Sequence, residues 1–147
     1  MMLTVQTRVS GMPFLRQGTL RRPEHHWRVG AVRIVSVLHT IDLAHPPRPA
    51  EIVEEELEEG WHLVRRSKQL RLLKVVHGYG SSGRGGTTRT VVRNWAFAHR
   101  RYFRAVIEGE RYTLFDEDTQ AIRQALGAYD DPDLGGGNPG CTILWIH

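Results

Sequence analysis

The 147-residue sequence has a single cysteine, Cys141, so no internal disulfide can form. It has no apolar run near the ~18 residues that span a bilayer. Residues 1–28 also lack the apolar core, about 7–15 residues long, of a secretory signal. These absences argue against a disulfide-stapled secreted module and a transmembrane protein. They predict one cytoplasmic domain of ordinary globular composition, with Cys141 as a small core residue.

Charge is unevenly distributed along the chain, although the net charge is only +4. Residues 1–41 and 60–112 carry net charges of +5 and +10, whereas residues 42–59 and 113–147 carry −6 and −5. The most basic block contains a glycine-rich segment. Such clustering is typical of a protein that meets a polyanion, but a solvated surface also accounts for many charge runs.

Residues 1–28 lack hydrophobic periodicity and contain five arginines, which predicts a flexible basic N-terminal arm. Residues 29–147 are expected to form the folded domain. Its β-branched and amphipathic stretches alternate, which predicts a two-layer α/β sandwich with a small mixed sheet, in β-α-β-α-β order. The predicted strands are residues 32–45, 70–78, one or two near 104–116, and 141–147, and the predicted helices are residues 49–67, 88–103 and 116–127. The last helix should be capped by its Asp-rich start and by Gly127 at its end.

The two longer helices carry different predicted faces. The first should bury one stripe, formed by Val53, Leu57, Gly60, Trp61 and Val64. Its acidic start and basic end complement the helix dipole. The second should bury Trp95 among Val91, Ala98, His99 and Tyr102. Its opposite face should expose a stripe of arginines: Arg89, Arg93, Arg100 and Arg104. Phe97 lies at the margin of this face and is expected to pack under another segment, with base stacking as the alternative.

The segment VVHGYGSSGRGGTT, residues 75–88, connects a predicted strand to the second predicted helix. Its five glycines permit positive φ angles and leave N–H groups unshielded, and a helix N-terminus attracts anions. We therefore predict an anion-binding loop. Residues 78–83 match G-x-G-x-x-G, but no acidic residue follows before Glu108, so the dinucleotide fingerprint is incomplete. The lysine of a P-loop is missing as well.

The motif His77-Gly78-Tyr79-Gly80, with NPGCTILWI near residue 146, resembles the small MutS-related (Smr) domain family over residues 34–146. A second family motif, Leu-Asp-x-His, corresponds to Ile41-Asp42-Leu43-Ala44, with Ala44 where histidine is expected. His45 is displaced by one position, which in a continuing strand places it on the opposite face. The resemblance implies a fold like the C-terminal domain of translation initiation factor 3.

Smr domains bind nucleic acid, and several are nicking endonucleases. The resemblance implies binding of DNA or RNA, with His77 and Asp42 as the catalytic candidates. If their two strands are parallel neighbours, both residues should lie at the carboxyl edge of the sheet, where α/β folds place ligands. Because the expected second histidine is absent, we predict weak or no cleavage with binding intact. The residues expected to hold phosphate are Gly78, Tyr79, Gly80, Gly83, Arg84, Gly85, Gly86, Thr87, Arg89, Arg93 and Arg100.

Two alternatives remain open from the sequence. In an endonuclease, His77 is the general acid or base, Asp42 orients it or binds metal, and Arg84 stabilises charge on the phosphorane. Alternatively, the loop grips an acidic protein partner. We predict no metal site and no cofactor, with Mg²⁺ the one candidate should the domain be a nuclease.

Overall fold

Four strands form one mixed sheet in the residues that the computed structural model describes, 36–79 and 86–147. In the order β1-β2-β4-β3 across the sheet, β1 is parallel to β2, and β4 is antiparallel to both β2 and β3. This confirms the predicted α/β fold with a small mixed sheet. The strands are β1 (Leu38–Asp42), β2 (Leu72–Val76), β3 (Phe103–Glu108) and β4 (Cys141–Ile146). The predicted arm, residues 1–28, lies outside the described ranges.

Three α-helices lie within the described ranges: α1 (Ala50–Arg66), α2 (Gly86–Ala98) and α3 (Glu117–Leu126). None of these is long and apolar enough to cross a membrane. The caps predicted for α3 are confirmed, because the Asp116 carboxylate accepts a hydrogen bond from the Thr119 N–H and Gly127 has a φ of 76°. The predicted buried stripe of α1 is also confirmed: Val53, Leu57, Gly60, Trp61 and Val64.

The second predicted helix is wrong at its C-terminal end. The α2 helix ends at Ala98, a 3₁₀ turn covers Arg100–Tyr102, and Phe103 begins β3 opposite Ile146 of β4. Pairing with β4 thus requires the chain to leave the helix earlier than its amphipathic pattern suggests. The buried face is also rotated, because it contains Val92, Trp95 and Ala96 while Ala98 is exposed.

Apolar clusters cover both faces of the sheet. On one face, α1 and α2 pack against alternate residues of β2 and β4, around the edge-to-face rings of Trp61 and Trp95. On the other, Tyr112 and Ile122 pack with Leu72 and Trp145. Cys141 is fully buried in β4, as predicted, and burial raises the pKa of its thiol to about 11.

One ion-pair cluster is buried against the centre of the sheet. The Lys74 Nζ atom of β2 donates to Asp131 Oδ1 at 2.5 Å and to Asp133 Oδ2 at 2.6 Å. Asp133 in turn accepts a hydrogen bond from the Asn138 side chain. The cluster therefore connects residues 131–138, the segment before β4, to β2, the strand that precedes His77.

Candidate functional site

The two motifs singled out in the sequence meet at one edge of the sheet. β1 and β2 are parallel, with Asp42 opposite Val76, so both strands end at the same edge. His77 and Gly78 follow β2 directly. Gly78 has a φ of 81°, and a Cβ at that position would lie 3.6 Å from the Ala44 side chain. Ala44, where the resemblance expects histidine, therefore adjoins the start of the glycine-rich loop.

His77 is buried, with 1% of its surface exposed. Its Nδ1 lies 3.0 Å from the Gly78 carbonyl oxygen, so that nitrogen carries the proton. Its Nε2, 2.9 Å from Thr142 Oγ1, then accepts from the hydroxyl, which accepts in turn from Arg93 Nε at 3.4 Å. This chain of donors from α2 through β4 fixes one neutral tautomer of the ring.

The electrostatic surroundings also keep His77 neutral. Burial lowers its pKa from the usual value, and the positive charges of Arg93 and Arg89 lower it further, against the opposing effect of the hydrogen bond that Nδ1 donates to the Gly78 carbonyl oxygen. A neutral, buried ring with both nitrogens hydrogen-bonded is suited to positioning the loop. Both ring nitrogens have hydrogen-bond partners among the described residues, so in this conformation neither nitrogen is free to contact a substrate.

Asp42 does not orient His77 in the described structure, contrary to the endonuclease interpretation. Its carboxylate accepts hydrogen bonds from the Ala44 and His45 N–H groups, and its Oδ2 lies 3.1 Å from His45 Nδ1. Although partial burial raises the pKa of Asp42, the His45 ring and the Ala44 N–H lower it overall. Asp42 is therefore an ionised partner of His45.

The prediction that His45 faces away from Asp42 is wrong. It assumes a strand that continues to residue 45, whereas β1 ends at Asp42 and a turn follows. The turn folds His45 back onto the Asp42 carboxylate, with 79% of the His45 side chain and 47% of the Asp42 side chain exposed. The Pro46-Pro47 pair after His45 was the available signal that the strand stops early.

Arg89 and Arg93 are held by carboxylates instead of forming an open stripe. Arg93 donates to both oxygens of Glu110, at 3.1 and 2.6 Å, and Arg89 reaches Glu110 Oε1 at 3.2 Å. Glu108 lies 3.3 Å from Arg93. The hydrogen bonds from Arg93 hold the pKa of Glu110 below its usual range. The predicted exposed stripe is therefore wrong at Arg93, whose side chain is only 16% exposed.

Arg104, also assigned to that stripe, lies in β3 with its guanidinium 5.4 Å from the centre of the Trp145 ring. Arg100 is exposed as predicted and stacks over Phe97, 4.3 Å from the ring centre. Phe97 is itself 66% exposed, so it does not pack under another described segment. Tyr79 is a third exposed side chain, at 60%.

The glycine-rich segment is described only at its two ends. Gly80, Gly83, Arg84 and Gly85 lie outside the described residues. Gly86 begins α2, with open space where a Cβ would be, and Thr87 is exposed in the first turn. No acidic residue occupies that turn.

The prediction that the Gly78 N–H is unshielded is wrong. The N–H groups of His77 and Gly78 both donate to the Gly140 carbonyl oxygen, at 2.9 and 3.0 Å. Gly109 allows this approach of the chain, because a Cβ there would collide with the Asn138 carbonyl oxygen. The segment before β4 therefore holds the start of the glycine-rich loop in place through the Gly140 carbonyl group.

Thr142 and Glu110 are part of the site but were not predicted. Thr142 resembles any strand residue in sequence, and only the pairing of β4 with β2 and β3 brings it to His77. Within the described ranges, no group of three or more His, Cys, Asp or Glu side chains is arranged to hold a metal ion. No protein-family model, curated protein or solved structure matches this chain.

Proposed function

We propose that this chain is a cytoplasmic nucleic-acid-binding domain that holds the phosphate backbone at the carboxyl edge of β1 and β2. The observation that carries the proposal is the row of side chains that extends along α2 from this edge. Arg93 begins the hydrogen-bond chain that runs through Thr142 to His77, and Arg89 lies beside Arg93 on Glu110. The exposed Phe97 ring and Arg100 continue the row. Guanidinium groups suit phosphate oxygens, and an exposed aromatic ring suits an unstacked base.

The start of α2 supports the same interpretation. Its first turn contains Thr87, which is exposed, and Arg89, which is half-buried beside Glu110, and it contains no acidic side chain, which favours an anion at the helix N-terminus. Tyr79 lies exposed on the β2 side of the same loop. Phosphate contacts of this kind position a backbone without reading its sequence, so the proposal extends to DNA and RNA alike.

The test is a titration of labelled single-stranded RNA and duplex DNA at several salt concentrations. Arg89→Ala, Arg93→Ala and Arg100→Ala should each weaken binding similarly across sequences and lower the salt slope by about 1. Arg123→Ala, an exposed arginine of α3, is the matched control and should change the slope less. Absence of binding at about 50 mM salt would contradict the proposal.

The exposed Asp42–His45 pair favours a second candidate function, cleavage of the backbone held at this edge. A carboxylate bonded to Nδ1 of a histidine fixes the tautomer and leaves Nε2 for proton transfer. His45, at 79% exposure, is more accessible to a substrate than the buried His77. In this function His45 transfers the proton, Asp42 orients it, and His77 positions the loop.

Incubation with supercoiled plasmid and structured RNA, with and without Mg²⁺, tests this second function. General acid–base help typically contributes ~10²–10⁴-fold, so His45→Ala should reduce cleavage by that order with binding intact. Cleavage abolished by His77→Ala but unaffected by His45→Ala would instead assign the proton transfer to His77.

A further inference from the structure

The side chain of Asn138 lies between the buried ion-pair cluster and the start of the glycine-rich loop. Its Nδ2 donates to Asp133 Oδ2 at 3.1 Å, and the same carboxylate oxygen accepts from Lys74 Nζ at 2.6 Å. Its Oδ1 accepts from the Gly140 N–H at 2.9 Å. Asn138 therefore contacts the cluster through its donor and the residue that holds the loop through its acceptor.

The cluster determines which way the Asn138 amide points. The hydrogen bond from Lys74 and, to a smaller extent, the one from Asn138 hold the pKa of Asp133 below its usual range, against the effect of burial. Asp133 is thus an ionised acceptor, which forms stronger hydrogen bonds than a neutral one. The reversed amide would place its oxygen against this carboxylate and its NH₂ group against the Gly140 N–H, so both contacts would be lost.

Gly140 connects this amide to three consecutive residues of the loop. Its carbonyl oxygen accepts from the N–H groups of His77 and Gly78, at 2.9 and 3.0 Å. A Cβ at Gly140 would lie 3.4 Å from Tyr79 Cε2 and 3.6 Å from the Gly78 carbonyl carbon, so the Tyr79 ring rests directly on this residue. The direction of the Gly140 carbonyl group therefore sets the course of the chain from His77 to Tyr79.

The backbone of Asn138 is anchored independently of its side chain. Its N–H donates to the Gly109 carbonyl oxygen at 2.7 Å, and its own carbonyl oxygen accepts from the Cys141 N–H at 3.1 Å. These bonds remain when the side chain is shortened. The fold before β4 should therefore survive a substitution that removes only the link between the cluster and Gly140.

We propose that Asn138 is a positioning residue for the glycine-rich loop. It transmits the geometry of the Lys74–Asp133 pair through Gly140 to the chain from His77 to Tyr79. Because a loop that is already ordered loses less entropy on binding, this link also raises the affinity for a phosphate backbone, a consequence that rests on the proposed function.

Amide hydrogen exchange in the full chain tests the link without any ligand. Asn138→Ala removes two hydrogen bonds, so the His77, Gly78 and Gly140 amides should exchange at least about fivefold faster. The Val75 amide, in the centre of β2, should change less than about twofold. Asn94→Ala removes an exposed asparagine amide from α2 and should leave all four amides unchanged. Equal acceleration at Val75 and at the loop would overturn the proposal, because it would show a loss of overall stability only.

Asn138→Asp separates the two contacts of the side chain. It keeps an acceptor for the Gly140 N–H but sets an oxygen against the Asp133 carboxylate. At about pH 7, where carboxyl groups are ionised, exchange of the His77 and Gly78 amides should be at least as fast as in Asn138→Ala. At about pH 5, protonation of the introduced carboxyl restores a donor, and these amides should be protected at least about threefold better than in Asn138→Ala at the same pH. Identical exchange in the two variants at every pH would overturn the role of the cluster.

A titration with single-stranded RNA tests the consequence for binding. Asn138→Ala should weaken binding at least about threefold and leave the salt slope unchanged, because no phosphate contact is removed. If the natural chain binds and Asn138→Ala binds equally well, the positioning role is refuted. If the natural chain does not bind, the proposed function fails alone, since the exchange measurements use no nucleic acid.

Discussion

Replacing Glu110 by glutamine should strengthen nucleic-acid binding, because Glu110 occupies the guanidinium groups that a phosphate would need. Its carboxylate contacts Arg93 at 2.6 and 3.1 Å and Arg89 at 3.2 Å, in the fork geometry that phosphate also adopts. Arg93 keeps the pKa of Glu110 low, so the competitor is ionised at neutral pH. A bound backbone must therefore displace this carboxylate.

The magnitude follows from the exposure of the pair. Glu110 is 37% exposed, and such partly solvated pairs contribute about 0.2–1 kcal/mol, with two-pronged arginine contacts at the upper end. A gain of about 1 kcal/mol corresponds to about fivefold tighter binding. The gain should shrink as salt rises, because salt screens the remaining charges.

Fluorescence anisotropy with single-stranded RNA at low and high salt measures this change. Glu59→Gln is the matched control, since it removes the same charge from an exposed position of α1. It should leave affinity within about twofold, because distant exposed charges are screened. Equal or weaker binding by Glu110→Gln would refute the reasoning, and would mean that Glu110 holds the arginines in the binding position.

Three further predictions concern folding. The pKa of His77 is lower in the folded chain than in the unfolded chain, so as pH falls the unfolded chain binds a proton at this residue first. The free energy of unfolding should therefore fall as pH drops below about 6.5. Urea unfolding between about pH 5 and 7.5 should show less of this loss in His77→Gln, and parallel curves would contradict it. Lys74→Met leaves two carboxylates unpaired and should cost about 3–5 kcal/mol in the same assay. Gly109→Ala places a Cβ against Asn138 and should abolish amide-exchange protection of β3 and β4, whereas Gly136→Ala, in open space, should not.

Local patterns in the sequence predicted those features of the fold that neighbouring residues determine. The α1 stripe from Val53 to Val64 follows from helical periodicity alone, and the Asp116 and Gly127 caps follow from residue type. The end of α2 does not follow from local pattern, because Phe103 pairs with Ile146, more than forty residues later in the chain. A helical pattern carries no information about such a partner.

The candidate site was predictable only where consecutive residues carry it. The motif at His77 and the glycines after it were visible in the sequence, and so was the parallel arrangement that places Asp42 at the same edge. The hydrogen bond from Thr142 to His77 and the ion pair from Glu110 to Arg93 join residues that are far apart in the chain. Because of Glu110, Arg93 is paired with a carboxylate instead of belonging to an exposed stripe.

The position of β4 in the sheet has a consequence for synthesis of the chain. β4 lies between β2 and β3 and hydrogen-bonds to both, yet it is the last of the described strands along the chain. While residues 141–146 are still inside the ribosome, β2 and β3 each expose an unpaired apolar edge. A nascent chain stalled before Cys141 should therefore recruit chaperones that bind extended apolar segments. Release of the six residues of β4 should end that dependence within one cooperative step.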